Sequence, residues 1–262
     1  MKLCRIAHES LSTPCYAILT EHTVKLLAAD ERGLTQISVH PRSSAAHFDL
    51  AEVKVLAPVA PSKIVCVGRN YREHAVELGN KMPDEPLLFL KAPSAVIASG
   101  DEIELPRASQ QVEHEGELGV VIGRVAHKIS KNDDPLSYVV GYTCVNDVTA
   151  RDLQRKDVQF TRGKSFDTFC PVGPWIETEI DPTNVTVQTR LNGELKQKGN
   201  TADMAFSVAF LISYISEIMT LYPGDLIATG TPAGVSRMKP GDTVEVEVSG
   251  IGILRNSIGV LL

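Results

Sequence analysis

Short apolar runs separated by glycine and proline dominate the pattern of hydrophobic and polar positions along the chain. The runs are rich in β-branched residues, which is typical of strands rather than helices. The clearest of them cover residues 16–19, 24–27, 64–67, 87–90, 118–122, 138–147, 185–190, 226–229 and 244–248. The pattern therefore predicts a sheet-dominated α+β fold.

Two segments depart from the strand pattern and predict helices. Residues 71–78 form a short segment that is closed by Gly79. Residues 203–219 form a longer segment whose apolar positions approximate helical spacing. These positions are Phe206, Ala209, Phe210, Ser213, Ile215 and Ile218.

Prolines divide the chain into two predicted domains. Pro58 and Pro61 break any regular element between residues 56 and 62, which makes this segment the best linker candidate. A polar stretch containing proline and serine extends to about residue 48. We therefore predict a small β-rich N-terminal domain over residues 1–58 and a main domain over residues 59–262.

Composition excludes several classes of protein. The formal net charge of -6 and the lack of a basic stripe give no reason to expect nucleic-acid binding. The five cysteines are scattered without C-x-x-C spacing, so they predict reduced core thiols rather than a zinc site or disulfides. No signal peptide or apolar run of membrane-spanning length is apparent. A cytoplasmic protein with no membrane partner is expected.

Three acidic residues near the ends of two predicted strands indicate a metal site. Glu115 and Glu117 share one face if the backbone is extended, and Asp147 ends the next β-rich run. Hard cations such as Mg²⁺, Mn²⁺ or Ca²⁺ prefer oxygen ligands, and three carboxylates leave coordination positions for water or substrate. The alternative is a solvated strand face. Apolar residues on both sides of the acids favour the buried metal site.

A second group of residues predicts a base on a movable segment. On a helix over residues 71–78, His74 and Glu77 are i and i+3 neighbours, so the carboxylate can orient the imidazole as a general base requires. Gly68, Gly79 and Pro83 suit a segment that moves as a lid. The alternative is a His–Glu pair on the surface of an ordinary helix.

Polar residues after Asp147 provide donors for an anionic substrate. Arg151, Gln154 and Lys164 are such donors, although each taken alone fits a structural role equally well. The segment 229–235 follows a strand, and its N–H groups and hydroxyls suit a carboxylate, with a tight turn as the alternative.

Several strings of residues, in this order along the chain, resemble the fumarylacetoacetate hydrolase family from Pro61 to the C-terminus. The likeness is to its short-chain branch of acylpyruvate hydrolases and oxaloacetate decarboxylases. The matching strings are Val67-Gly68-Arg69-Asn70-Tyr71, Leu88-Phe89-Leu90-Lys91, Glu115-Gly116-Glu117-Leu118, Asn146-Asp147-Val148-Thr149-Ala150-Arg151-Asp152, Leu191-Asn192-Gly193-Glu194 and Thr229-Gly230-Thr231-Pro232.

The resemblance implies a rolled, mixed β-sandwich and a homodimer. It implies Mg²⁺ or Mn²⁺, with Ca²⁺ as an in vitro substitute, held by Glu115, Glu117 and Asp147. The implied catalytic residues are His74, Glu77 and Lys164. The implied substrate-binding residues are Arg69, Tyr71, Arg151, Gln154 and Thr231. Larger hydrolases of the family have a further metal-binding aspartate near the position of Asn70, so the amide at this position favours the three-carboxylate branch.

The implied reaction is metal-dependent cleavage of a C–C bond in a small anionic 2-oxo acid. The substrate would chelate the cation through its carboxylate and ketone oxygens, and the cation would stabilise an enolate. Acylpyruvate hydrolysis, with His74 and Glu77 activating water, and oxaloacetate decarboxylation both stay open. Further alternatives are an isomerase or decarboxylase of hydroxymuconate-type acids and a non-catalytic metal-dependent binding protein.

Overall fold

A computed structural model describes residues 1–27 and 43–260 of the 262-residue chain, and it contains many strands and few helices. The strands are β1 Lys2–Ala7, β2 Cys15–Leu19, β3 Thr23–Leu27, β4 Ser43–Asp49, β5 Lys54–Leu56, β6 Ile64–Gly68, β7 Leu87–Lys91, β8 Val96–Ile97, β9 Glu102–Leu105, β10 Val112–Glu113, β11 Gly116–Ile122, β12 Val139–Asn146, β13 Thr149–Ala150, β14 Cys170–Glu177, β15 Thr186–Leu191, β16 Glu194–Asn200, β17 Leu226–Ala228, β18 Thr243–Val248 and β19 Gly252–Val260. The α-helices are α1 Arg72–Glu77, α2 Arg151–Lys156, α3 Thr161–Lys164 and α4 Val208–Ile218. The predicted strand-dominated α+β class is confirmed.

Most strands belong to one large mixed sheet. Its order is β4-β3-β2-β1-β14-β12-β11-β17-β6-β7, with β5 paired to β1 and β8 paired to β14. The β17–β6 and β14–β8 pairs are parallel, whereas the other pairs of this sheet are antiparallel. β11 and β12 lie at its centre, where every residue of β11 is buried. The predicted acidic strand is therefore inside the protein.

A second sheet packs against the first and closes the sandwich. Its order is β16-β15-β18-β19-β9. Alternate residues of β18, including Val246 and Val248, are buried and belong to the same core cluster as Leu118 and Val120 of β11. Apolar side chains of α4 complete this cluster, so the two sheets and the helix share one core. The predicted mixed sandwich is confirmed.

The N-terminal strands continue the large sheet across the predicted domain boundary. Lys2 and Leu3 of β1 pair with Glu177 and Ile176 of β14. A separate core cluster lies under β1, β2 and β3. The boundary between residues 58 and 59 stays a prediction. Of the polar stretch predicted up to about residue 48, the part from 28 to 42 lies outside the described residues, and the last part belongs to β4.

The helices differ from the sequence prediction in number and in length. α1 and α4 correspond to the two predicted helices, whereas α2 and α3, of six and four residues, were not predicted. Such short helices show no periodic pattern, and α1 was predicted from the glycine that follows it. α4 begins later than predicted because the Ser207 hydroxyl caps it by accepting from the N–H of Phe210. Within residues 1–27 and 43–260, no helix is long and apolar enough to cross a membrane.

Candidate active site

The three predicted metal-binding carboxylates meet where β11 begins and β12 ends. Glu115 directly precedes β11, Glu117 lies in it, and Asp147 directly follows β12. The Asp147 N–H donates to the Glu115 carbonyl at 2.9 Å, which fixes the two chain segments side by side. One carboxylate oxygen from each of the three residues lies within 4.8 Å of the others, and all three side chains are buried. Extended backbone and strand pairing thus bring the acids together.

Gly116, between the two glutamates, allows the second sheet to approach this strand. A Cβ at this position would collide with the Thr189 hydroxyl of β15 and would crowd Val246 of β18. The Gly116 N–H donates to Gln197 Oε1 at 3.0 Å, and its carbonyl accepts from the Thr231 hydroxyl at 2.9 Å. The backbone between the metal-binding candidates is therefore held on both sides.

Three buried cations surround the carboxylates. Lys164 Nζ donates to Glu115 Oε2 at 2.8 Å and to Asp147 Oδ2 at 2.7 Å. Lys91 Nζ donates to Asp147 Oδ1 at 2.6 Å and to the Val148 carbonyl at 3.1 Å. Arg151 donates from Nη2 to Glu115 Oε1 at 2.5 Å. Buried charges of this kind are stable only when paired, and these cations fix Glu115 and Asp147 in place.

The pairing sets the protonation of these groups. Burial alone would raise the pKa of Glu115, but Lys164 and Arg151 more than offset it and hold the pKa well below its usual range. Burial alone would lower the pKa of Lys164, whereas Asp147 and Glu115 raise it. Glu115 is therefore a carboxylate and Lys164 an ammonium at neutral pH.

Glu117 differs from its neighbours because no cationic side chain hydrogen-bonds to it in the described parts of the chain. Its Oε2 accepts from the Gly230 N–H at 2.8 Å. Burial, followed by the charges of Asp147 and Glu115, raises the pKa of Glu117 well above its usual range. A divalent cation beside Glu117 would reduce this penalty, since it adds positive charge next to a carboxylate that only the more distant Lys164 partly offsets.

The donor set fits a hard divalent cation. The candidate ligands are all carboxylate oxygens, which suit Mg²⁺ and Mn²⁺ better than they suit Zn²⁺. The phenol of Tyr71 and the amide nitrogen of Asn146 are buried without a hydrogen-bond partner among the described residues. Glu117 contributes to the raised pKa of Tyr71, second only to burial. Buried polar atoms that lack a hydrogen-bond partner suit a hydrated ion, because its water ligands can hydrogen-bond to them.

His74 and Glu77 face each other on α1, as their i and i+3 spacing predicts, and His74 lies beside the carboxylates. His74 Nδ1 lies 3.2 Å from Glu77 Oε2. The imidazole is buried and lines the same cavity of about 390 Å³ as Glu115, Glu117 and Asp147. A proton on Nδ1, donated to Glu77, leaves Nε2 as the acceptor. The arrangement can therefore present an oriented base to a molecule in the cavity.

The loop 229–234 connects α1 to the carboxylate cluster. The Gly230 N–H donates to Glu117 Oε2, and the Gly234 N–H donates to Glu77 Oε1 at 3.0 Å. Both glycines have positive φ, +101° and +103°, where a side chain would be strained. The predicted carboxylate-binding loop thus binds two carboxylates of the protein itself.

Four of the predicted substrate-binding residues line the cavity. Arg151 is already engaged, with Nε on Glu113 Oε2 at 2.8 Å and Nη1 on Gln154 Oε1 at 2.6 Å. The amide nitrogen of Gln154 makes no hydrogen bond within the described residues, so its protons face no competing acceptor. Thr231 receives a hydrogen bond from Gln197 Nε2 at 2.7 Å and donates its own proton to Gly116. Arg69 is the fourth predicted substrate-binding residue that lines the cavity.

Tyr71 is placed differently from the other predicted substrate-binding residues. It precedes α1, its backbone bridges to Met204, and its buried side chain is not among those that line the cavity. Its predicted role as a substrate contact therefore lacks the direct access that the other four residues have. The predicted chemical roles of all these residues stay predictions.

Sequence reasoning missed several buried polar residues behind the site. Glu113 accepts from Arg151, and Gln197 holds Gly116 and Thr231. His114 bridges Gln197 and Ser236 from its two ring nitrogens, and burial lowers its pKa. Lys91 carried the one available signal, because it ends an apolar strand with a charge. The other contacts join residues far apart in the chain and leave no local pattern.

Lys91→Met should lower the free energy of unfolding of the metal-free protein by about 3–5 kcal/mol, the usual cost of removing one partner of a buried ion pair. Urea denaturation followed by circular dichroism measures the change. Lys131→Met, on an exposed side chain, is the control and should change stability by less than about 0.5 kcal/mol. Equal stability of Lys91→Met and the unmodified protein would contradict the assigned pairing with Asp147.

Comparison with known proteins gives a consistent assignment. Residues 63–259 match the family described as fumarylacetoacetate (FAA) hydrolase C-terminal. The chain is 45% identical over 227 residues to the oxaloacetate tautomerase YisK of Bacillus subtilis, covering 81% of this chain and 75% of that protein. Both comparisons include the segments that carry the carboxylates and α1.

Solved structures match the whole chain. The 5-carboxymethyl-2-hydroxymuconate delta-isomerase from Mycobacterium smegmatis has a TM-score of 0.89 and 38% identity, with 100% of both chains covered. The maleylpyruvate hydrolase from Sphingobium sp. SYK-6, solved in complex with manganese(II) ion and pyruvate, has a TM-score of 0.80 and 29% identity, again with 100% of both chains covered.

Proposed function

The chain belongs to the fumarylacetoacetate hydrolase family, and from that premise we propose that it is a divalent-metal-dependent enzyme that interconverts the keto and enol forms of oxaloacetate or a closely similar 2-oxo acid. The observation that carries the proposal is an imidazole, oriented by Glu77, that lines the same cavity as three carboxylates suited to Mg²⁺ or Mn²⁺. The likeness to a protein named oxaloacetate tautomerase supports this choice of reaction. The homodimer expected from the sequence is part of the same proposal.

The carboxylate of the 2-oxo acid would bind among the donors that the protein leaves available. Lys164 uses two of its three N–H groups on Glu115 and Asp147, so one remains for substrate. Gln154 lines the same cavity, and its amide nitrogen makes no hydrogen bond within the described residues. A divalent cation held by Glu115, Glu117 and Asp147 supplies, when bound, positive charge that stabilises negative charge on the oxo oxygen.

His74 would move the proton in the tautomerisation. Nε2 removes a proton from C3, the C–H electron pair becomes the C2=C3 double bond, and the oxo oxygen takes up a proton to give the enol. Glu77 stabilises the imidazolium that exists between the two proton transfers. The reverse sequence converts the enol to the ketone, so no atom or electron is gained or lost overall.

A second candidate is hydrolysis of an acylpyruvate, which the His74–Glu77 pair also favours. The same Nε2 can take a proton from water, whose oxygen attacks the distal carbonyl carbon. The C3–C4 bond then breaks, its electron pair stays on C3 and takes up the proton held on Nε2, and the products are pyruvate and a carboxylic acid. This candidate needs room for water beside the substrate, whereas tautomerisation does not.

A substrate panel distinguishes these reactions. Purified protein with Mg²⁺ should accelerate the relaxation of enol oxaloacetate, followed by ultraviolet absorbance, and excess chelator should abolish the acceleration. Parallel assays measure loss of acetylpyruvate, release of CO₂ from oxaloacetate and isomerisation of a hydroxymuconate-type acid. Faster cleavage of acetylpyruvate, with tautomerisation at the uncatalysed rate, would reject the first proposal in favour of hydrolysis.

A further inference from the structure

Arg69 is the cavity-lining cation that has no partner in the described parts of the chain. Its guanidinium makes no hydrogen bond or ion pair with any residue of 1–27 or 43–260, although it lines the cavity with Glu115, Glu117 and Asp147. Arg155 also reaches this cavity, but it is exposed and donates to Gln111 Oε1 at 3.2 Å. Among the cations of the cavity described above, Arg69 is thus free to bind an anion.

The backbone at Arg69 is held in a costly conformation. Its φ is +58°, in the left-handed region that costs a non-glycine residue about 1 kcal/mol or more. The next residue maintains this turn, because Asn70 donates to the Phe206 and Thr229 carbonyls and accepts from the Phe206 N–H. Such strain persists where the surrounding structure fixes it, and it is concentrated at functional sites. The fold therefore fixes the direction from which this side chain leaves the backbone.

The charges of the site leave Arg69 unbalanced. Four buried carboxylates, Glu113, Glu115, Glu117 and Asp147, accompany three buried cations, Lys91, Lys164 and Arg151. A divalent cation converts the resulting single negative charge into a single positive charge, which the carboxylate of one 2-oxo acid neutralises. The charge on Arg69 is then available to a second carboxylate on the same substrate, since Glu77 is already engaged by His74 and by the Gly234 N–H. A guanidinium also binds carboxylates in a fixed bidentate geometry.

We infer that Arg69 binds the distal carboxylate of the substrate and selects dicarboxylic over monocarboxylic 2-oxo acids. The inference rests on the proposed function, since it takes the carboxylate cluster as the site of the 2-oxo group. It adds a specificity-determining residue at the opposite end of the substrate. Leu87, Phe89 and Phe160 also line the cavity and offer no charge to a carboxylate.

Equilibrium binding of two unreactive acids tests this role without relying on turnover. Malate and 2-hydroxybutyrate have the same four-carbon length, and only malate has the second carboxylate. Calorimetric titration in the presence of Mg²⁺ should show malate binding about 10- to 100-fold more tightly, the range of one charge-assisted hydrogen-bonded contact. Arg69→Met should reduce this preference to about one, and Arg69→Lys should restore part of it.

Matched controls separate this role from folding and from net charge. Arg72→Met removes an exposed arginine three residues away and should keep the preference for malate. The Tm for thermal unfolding should be the same in both methionine variants. An unchanged preference in Arg69→Met, or no preference in the unmodified protein, would overturn the inference. The unmodified protein could also prefer malate yet fail to tautomerise oxaloacetate. If Arg69→Met then loses the preference, the proposed reaction is rejected and the role of Arg69 is kept.

Discussion

Glu117→Gln is expected to abolish tight Mg²⁺ binding and to lower turnover of the 2-oxo acid by about 10³-fold or more, the factor that several kcal/mol of charge stabilisation represents. Glu117 is the acid of the cluster to which no protein cation hydrogen-bonds within the described residues, so its charge is the one most available to a metal. The amide keeps the size of the side chain and can still accept from the Gly230 N–H. Calorimetric titration with Mg²⁺ and a rate assay measure the two losses.

The same substitution should stabilise the metal-free protein at neutral pH and above. The pKa of Glu117 is raised by burial and by the nearby carboxylates, so its folded-state pKa exceeds its unfolded value. A group of this kind contributes stability that is present at low pH and lost as pH rises through the folded pKa. The stability of Glu117→Gln does not fall in this way. The difference in free energy of unfolding between this variant and the unmodified protein should therefore grow as pH rises.

Thermal unfolding with and without Mg²⁺ checks both parts of this expectation. Mg²⁺ should raise the Tm of the unmodified protein more at pH 8 than at pH 5.5, because protons compete for Glu117. It should leave the Tm of Glu117→Gln nearly unchanged. Glu217→Gln, on the exposed face of α4, is the control and should respond to Mg²⁺ like the unmodified protein. Tight Mg²⁺ binding by Glu117→Gln would contradict the assignment of this ligand.

The strand pattern and the spacing of the acids predicted much of the site, because both depend on local geometry. An extended backbone puts Glu115 and Glu117 on one face, and a following antiparallel strand brings Asp147 beside them. His74 and Glu77 are likewise close in sequence. These contacts need only one or two elements of regular structure.

The rest of the site depends on packing between distant segments. Lys91 reaches Asp147 across 56 positions, and Gln197 reaches Thr231 across 34. No periodic pattern specifies such pairs before the sheets are assembled. Lys164 illustrates the same limit, since the sequence indicated a donor for substrate and the structure adds ion pairs with two protein carboxylates. The sequence therefore specifies the acids of this site more directly than the cations that hold them.

His74→Ala is expected to lower kcat by about 10²–10⁴-fold, the usual contribution of a positioned general base, with a smaller effect on substrate binding. The imidazole lines the cavity and Glu77 orients it, so its removal takes away the proposed proton acceptor without disturbing the carboxylate cluster. Added imidazole should restore part of the rate. His127→Ala removes an exposed histidine and should keep full activity. Unchanged turnover in His74→Ala would exclude this residue as the base.

Glu77→Gln then separates the two proposed reactions. The carboxylate accepts from Gly234 through Oε1 and contacts His74 through Oε2, and an amide cannot accept at both positions. Hydrolysis requires His74 to activate water, whereas tautomerisation requires it only to move a proton at carbon. If Glu77 supports these two tasks differently, the variant should lose acetylpyruvate hydrolysis and oxaloacetate tautomerisation to different extents. If Glu77 acts mainly by holding α1 against the loop 229–234, both rates should fall by the same factor, because the base is displaced in both reactions. Measuring the two rates in one preparation decides between an electrostatic and a positioning role for Glu77.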